Sequence, residues 1–394
     1  MAQLVSFTEL EGVYGSGYAC GIKANGALDI GFIYVPNCVG SAVVQSQNQI
    51  RSATLDHNAQ VFAKGPVKLM IVNSGNANSV TGDQGVQDVQ TTVTEAAKVF
   101  NCDPTAIAVA STGIIGVTMP MEHVVKGIQA MDPTAQQADL CAKAILTTDL
   151  TDKSYSRSAQ IQGQTITVSG ITKGSGMIAP NMATTLGFIV TNLALNCEQC
   201  TQVLKPAIND SYNMLTVDTD CSTNDMVSLQ SSGEVTLTLT PQDIATFTTL
   251  LTDLAIDMAK AIAKDGEGAN HLIEVIVTGA KTKQDAQNVT KQVLDSPLVK
   301  TAIAGEDPNW GRIVMAIGKE PSVTINPNTL SIAINNFNVL EQGLPLDFNR
   351  TTLKTAMQVP EINICVDLGV GDATATGWGC DLTHGYIDIN TAYN

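Results

Sequence analysis

Residues 173–192 read KGSGMIAPNMATTLGFIVTN, with Lys173 as the only charge. A glycine-rich run of mostly small side chains leads to Ala183, Thr184 and Thr185. An apolar stretch, LGFIV, follows with the composition of a buried strand. A threonine hydroxyl is a weak nucleophile until a base stands beside it, and the α-amine of the same residue is such a base when threonine heads a chain. A free α-amine has a reference pKa of about 8, so a useful neutral fraction exists near pH 7. Cutting the Ala183–Thr184 bond would create nucleophile and base at once. The small residues ahead of Thr184 would let its hydroxyl reach the preceding carbonyl, as an N-to-O acyl shift demands. The residues alone equally allow a plain strand-start threonine beside a tight turn.

Other chemistries find less support. Cys197 and Cys200 form a CxxC, but a structural zinc needs four ligands. No second CxxC or close histidine pair exists, the histidines lying at 57, 123, 271 and 384. No P-loop is present, because the glycines follow Lys173 instead of preceding it. The GxSxG elbow of an α/β-hydrolase is also missing. Asp218, Asp220 and Asp225 lack the glycine and closing glutamate of a calcium loop. They read as a polar turn.

The elements around Thr184 follow an α/β pattern. KLMIVN (68–73) is a strand ending in the loop SGNAN, followed by a helix with Val86, Val89, Val93, Ala97 and Phe100 on one face. AIAVA (106–110) is a buried strand running into Ser111-Thr112-Gly113, and Pro120 opens a helix. Gln162-Gly163 is a hairpin turn, and the strand beyond it leads to Lys173. Past Thr184 come a strand, a helix over 198–213, and a long helix from Pro241 with Ile244, Phe247, Leu251, Leu254, Met258 and Ile262 as its stripe. That helix stops at DGEGAN. Strand LIEVIV, a helix over 285–294 and strand RIVMAI (312–317) follow. SVTINP, SIAINN, EINICVDL and YIDIN make the last quarter β-rich. Strands alternating with helices on both sides of Thr184 predict two α/β lobes. The parts 1–183 and 184–394 are the candidate division.

Composition agrees with a buried globular protein: 394 residues, 44% hydrophobic and only 15% charged. A net charge of −16 argues against nucleic acid and anionic membranes as partners. Nine scattered cysteines read as reduced thiols of a cytoplasmic protein. The N-terminus has neither the basic nor the apolar region of a secretory signal, and no window is apolar enough to span a membrane.

The segment 173–192 closely resembles the self-cleavage segment of the ornithine acetyltransferase family, also called bifunctional glutamate N-acetyltransferase. Similar blocks occur in the family's order along essentially the whole chain. They are VNSGNAN with TGDQG (72–85), ASTGIIG (110–116), LTTD (146–149), DGEGA (265–269), SPLVKTAIAGEDPNWGRI (296–313), WGCDLTHGY (378–386) and IN (389–390). The sequence departs from the family at TVDTDCSTND, where TVDGDTSTND is usual, and at Met214, where the family carries arginine. The resemblance implies a two-lobed N-terminal-nucleophile-like α/β fold, cut after Ala183 into two chains that stay associated as α2β2. It implies Thr184 as nucleophile, Thr112 and Gly113 as oxyanion hole, and Thr147, Lys173, Glu267 and Asn390 as substrate contacts. The implied reaction moves acetyl from N2-acetylornithine to glutamate without metal or organic cofactor, with acetyl-CoA as an alternative donor. Two rivals remain: an aminopeptidase or amidase on the related fold, and an uncut, non-catalytic small-molecule binding protein.

Overall fold

The computed structural model describes residues 6–179 and 185–392. In chain order its first elements are β1 (Tyr14–Tyr18), β2 (Ile30–Tyr34), β3 (Gly40–Gln45), α1 (Ala53–Lys64), β4 (Leu69–Asn76), α2 (Gly82–Phe100), β5 (Ile107–Ile114), α3 (Met121–Gln129) and α4 (Ala138–Ala144). The middle holds β6 (Lys153–Ile161), β7 (Gln164–Lys173), β8 (Leu186–Leu193), α5 (Cys197–Asn209), β9 (Leu215–Thr216), β10 (Met226–Val235) and α6 (Pro241–Lys264). The chain divides into two compact units, each built from three separate segments. One unit takes residues 1–174, 180–212 and 221–258; the other takes 175–179, 213–220 and 259–394.

The first unit holds two sheets, ordered β1-β2-β4-β5 and β3-β10-β8-β7-β6. Period-two alternation gives the first sheet two apolar faces. Ile30, Phe32, Leu69 and Ile71 face the α2 residues Val89, Val93, Ala96 and Phe100. Ile33, Met70, Val72 and Ala108 share a second core with Ile171, Phe188 and Val190 of the other sheet. β8 is buried along its whole length, as its apolar sequence foretells, between antiparallel β7 and parallel β10. Gln162 and Gly163 both have positive φ, 50° and 78°, as a two-residue hairpin turn between β6 and β7 requires. The α2 stripe is narrower than expected, because Val86 is exposed and Ala97 only half-buried.

In the second unit come β11 (Leu272–Ala280), α7 (Lys283–Leu294), α8 (Pro297–Ala304), α9 (Trp310–Gly318), β12 (Ser331–Ile334), β13 (Phe337–Glu341), β14 (Leu344–Pro345), α10 (Arg350–Ala356), β15 (Glu361–Asp367), β16 (Ala373–Cys380) and α11 (His384–Ala392). They form a sheet ordered β14-β13-β12-β15-β11-β16-β9. Ile273, Val275 and Val277 of β11 pack against Val289 and Val293 of α7 and Ile313 and Ile317 of α9. Three expected strands are not strands. RIVMAI lies in α9, where Ile313, Ala316 and Ile317 are buried at helical spacing. YIDIN lies in α11, and SVTINP has no regular structure. Short apolar runs do not distinguish the two periods, and tertiary packing decides.

Candidate active site

β4 and β5 run parallel, and their pairing becomes irregular where Gly75 meets Gly113 and Asn76 follows. Such a bulge re-aims the backbone at a strand end. Gly113 has φ 133°, and a Cβ there would overlap the Gly75 and Asn76 backbone, so the position requires glycine. The strand end is tightly tethered. Ser111 Oγ donates to Ala77 O, and Asn224 Nδ2 donates to Ser111 O (3.1 Å) and also to Ala77 O. Asn76 Nδ2 donates to Val117 O (2.9 Å), fixing the loop beyond.

Lys173 ends β7 and is only 8% exposed. Its ammonium donates to Thr147 Oγ1 (2.9 Å) and, at 3.4 Å, to Thr112 Oγ1. An ammonium can only donate, so both hydroxyls accept from it and keep their own protons for another acceptor. Behind them lies Asp149, whose side chain is fully buried. Its Oδ1 accepts from Lys153 Nζ (2.8 Å) and Gly174 N (2.7 Å), and its Oδ2 accepts from Thr147 N (3.1 Å). Burial works to raise this carboxyl. The charges of Lys173 and Lys153, with the hydrogen bonds, outweigh burial and hold it at about 2. Asp225 is treated oppositely. Burial pushes it up to about 8 against the opposing Lys173 charge and Ser222 hydrogen bonds, and its Oδ2 has no partner among the described residues.

Thr185 begins the chain's return to the sheet. Its hydroxyl donates to Lys173 O, its carbonyl accepts from Met226 N (2.9 Å), and Leu186 then pairs with Lys173. The neighbouring Ala183 and Thr184 lie outside the described residues.

In the second unit Glu267 sits in the loop after α6 and is 7% exposed. Its backbone N donates to Ser175 O (3.1 Å), and Ser175 Oγ returns a bond to Asp265 O (2.6 Å). Asn390 of α11 donates to Glu267 Oε2 (2.6 Å). A Cβ at Gly176 would overlap the Glu267 carboxyl, so the segment 175–179 can lie against it only with glycine there. Met177 N and Ile178 N donate to Asp218 (2.6 and 2.8 Å), anchoring the same segment.

A family model described as the ArgJ family matches residues 15–394. The chain belongs to the ArgJ family. It is 42% identical over 396 residues to the arginine biosynthesis bifunctional protein ArgJ of Oceanobacillus iheyensis, covering 98% of this chain and 95% of that protein. Identity to the protein of the same name from Bacillus cereus is also 42%, over 407 residues, covering 100% and 99%. The crystal structure of the Bacillus halodurans ArgJ protein matches with TM-score 0.51 and 42% identity, covering 53% of this chain and 100% of that one.

Of the residues singled out in this member of the ArgJ family, Thr112, Gly113, Thr147 and Lys173 come together in the first unit, and Glu267 meets Asn390 in the second. Cys197 and Cys200 are free thiols on α5. Among the described residues no group of three or more His, Cys, Asp or Glu side chains is placed to hold a metal ion, and no helix is long and apolar enough to cross a membrane. Asp149, Lys153, Asn224 and Asp225 escaped the sequence reading as site residues. The one local signal was the aspartate closing LTTD with a lysine four residues on.

Proposed function

We propose that this protein is a glutamate N-acetyltransferase that moves acetyl from N2-acetylornithine to L-glutamate through an acetyl group on Thr184. The observation that carries the reading is the Lys173 ammonium bridging the Thr112 and Thr147 hydroxyls at the end of β5. Autocleavage after Ala183 frees the Thr184 α-amine. That amine takes the hydroxyl proton as Oγ attacks the acetyl carbonyl, and Thr112 O–H with Gly113 N–H receives the developing oxyanion. The C–N bond then breaks, the amine returns the proton to the departing ornithine nitrogen, and acetyl-threonine remains. The glutamate amine attacks next and reverses the sequence. Lys173 meets the carboxylate common to both substrates, and Glu267 with Asn390 meets the ammonium of ornithine. No metal or organic cofactor enters these steps. The relatives' description as bifunctional proteins of arginine biosynthesis supports acetyl-CoA as a second donor. The Bacillus halodurans chain is matched in full by 53% of this one, close to the share of the chain that lies after Ala183, and that agreement in length supports the cut. Two fragments held in a cytoplasmic α2β2 assembly complete the proposal.

The test is intact mass and a denaturing gel, followed by turnover of acetylornithine with and without glutamate. Two fragments, with ornithine released rapidly only when glutamate is present, are expected. Rapid release without acceptor would make the protein a hydrolase. Thr184→Ala should stay one chain and lose turnover altogether. A cleaved, active Thr184→Ala protein would end the proposal.

A further inference from the structure

A lysine that recognises a substrate carboxylate must not be neutralised by its own protein. Two carboxyl groups of the first unit feel the Lys173 charge, Asp149 and Asp225. Asp149 is indispensable to the local geometry, since it binds the backbone N–H of Thr147 and of Gly174, the residues flanking the Lys173 contact. As a fully ionised buried carboxylate it would also draw on the Lys173 charge. Lys153 stands in the way of that loss. It is the first residue of β6, is 1% exposed, and places its ammonium 2.8 Å from Asp149 Oδ1. Lys153 Nζ also donates to Thr151 O (3.0 Å), so it is held in the loop that it neutralises. Asp225 is dealt with by burial, which keeps it largely protonated at neutral pH. Lys23, whose ammonium donates to Leu28 O and Leu146 O, has Asp29 as its first opposing charge, ahead of Asp149, and is itself repelled by Lys173.

We propose that Lys153 is a charge-balancing positioning residue. By pairing with Asp149 it lets that carboxylate brace Thr147 and Gly174 while the charge of Lys173 stays available to an amino-acid carboxylate. Nothing in the reaction requires a second buried lysine here, whereas a buried carboxylate that offers one oxygen to each backbone N–H does require a cation beside it. The pair is therefore explained by charge: Lys153, Asp149 and Lys173 together carry one net positive charge, and without Lys153 they carry none.

This inference rests on the transferase reading, and its test separates the two. Steady-state KM values for acetylornithine and glutamate are measured on the wild-type protein, on Lys153→Met and on Lys153→Arg, both of which leave the Asp149 carboxylate in place. The methionine variant leaves Asp149 to Lys173, so both KM values should rise roughly tenfold, the lower range for one charge-assisted contact, with kcat changed by less than about threefold. The arginine variant keeps the net charge of one, and both KM values should stay within about threefold of wild type. A structural role predicts lowered melting temperatures with unmoved KM values, or an arginine variant as impaired as the methionine one; either overturns the inference. If Lys153→Met does not fold because Asp149 is left buried and unpaired, Lys153→Gln decides, since it still donates to Asp149 but carries no charge. Unmoved KM values in it would refute the proposal. A wild-type protein without acetylornithine turnover would refute the transferase reading and this inference with it. An active wild type with unmoved variants would refute this inference only.

Discussion

Lys173 and Glu267 are almost equally buried, at 8% and 7% exposed, yet they are held by different means. Lys173 stands at the end of an interior strand among fixed charges, with a buried ion pair behind the backbone on either side of its contacts. Glu267 stands on a glycine-flanked loop, and its side-chain partner Asn390 comes from a terminal helix with no buried residue. The first arrangement is stiff because moving any member exposes a charge to a low-dielectric interior. The second is adjustable, since α11 owes little to packing. A carboxylate is common to ornithine and glutamate, whereas their side chains differ. A rigid cation suits the group that both present, and a more compliant anion suits the part that differs.

Three experiments press on that contrast. The largest effect is expected at the strand end that Lys173 serves. Thr112→Val keeps volume and backbone N–H but removes the hydroxyl, and turnover should fall ~100- to 1000-fold, the scale for one oxyanion donor. Autocleavage, followed on a gel, should slow as well, because the acyl shift passes through a similar oxyanion. Unchanged turnover would assign the donor role to backbone alone.

Next comes the pair itself. Lys173→Met should raise KM for acetylornithine and glutamate together by roughly tenfold to a hundredfold, from loss of a charge-assisted contact worth ~1.5–3 kcal/mol. Glu267→Gln keeps an acceptor for Asn390 and should raise KM less, by about tenfold or below. If instead Lys173→Met lowers only the melting temperature, the stiff cation is structural and the contrast collapses.

The smallest effect is on stability. Asp225 titrates at about 8 in the fold, against about 3.9 in an unfolded chain. Between those values the folded state holds a proton that the unfolded state has released, so stability falls as pH rises from about 4 to about 8 and is level above. Asp225→Asn removes this dependence. Measured in the uncut Thr184→Ala background, it should melt close to its parent near pH 4. At pH 8 it should gain ~2 kcal/mol or more, at about 1.4 kcal/mol per pKa unit before relaxation. A gain of equal size at both pH values would show that Asp225 is ionised in the fold.

What was legible in the sequence had local causes. Gln162-Gly163 announced its turn because only certain residues adopt positive φ, and the α6 stripe announced itself through six positions at helical spacing. Thr112 and Lys173 were reached through motif resemblance, and geometry then joined them. Arg312 to Ile317 and Tyr386 to Asn390 misled, since five or six residues fit either period and the decision lay in α9 packing under β11 and in Asn390 reaching Glu267. Asp149 and Asp225 were out of reach for a different reason. Nothing in their neighbours along the chain tells that one is buried beside two lysines and the other with an oxygen unmatched.

The order β3-β10-β8-β7-β6 places strands from after residue 184 between strands from before it: β3, β7 and β6 precede it, and β10 and β8 follow. A cut after Ala183 therefore severs one connection inside a sheet whose hydrogen bonds cross from one fragment to the other twice, at β3–β10 and β7–β8. Folding must come first and scission second, because each piece alone keeps only a two-stranded part of this sheet, β7–β6 before the cut and β10–β8 after it. Once cut, the protein can unfold as one body but must refold as two. Its recovery from heat or denaturant becomes a second-order encounter that depends on concentration. Its lifetime is then set by the rate of unfolding, and not by an equilibrium it can return to alone.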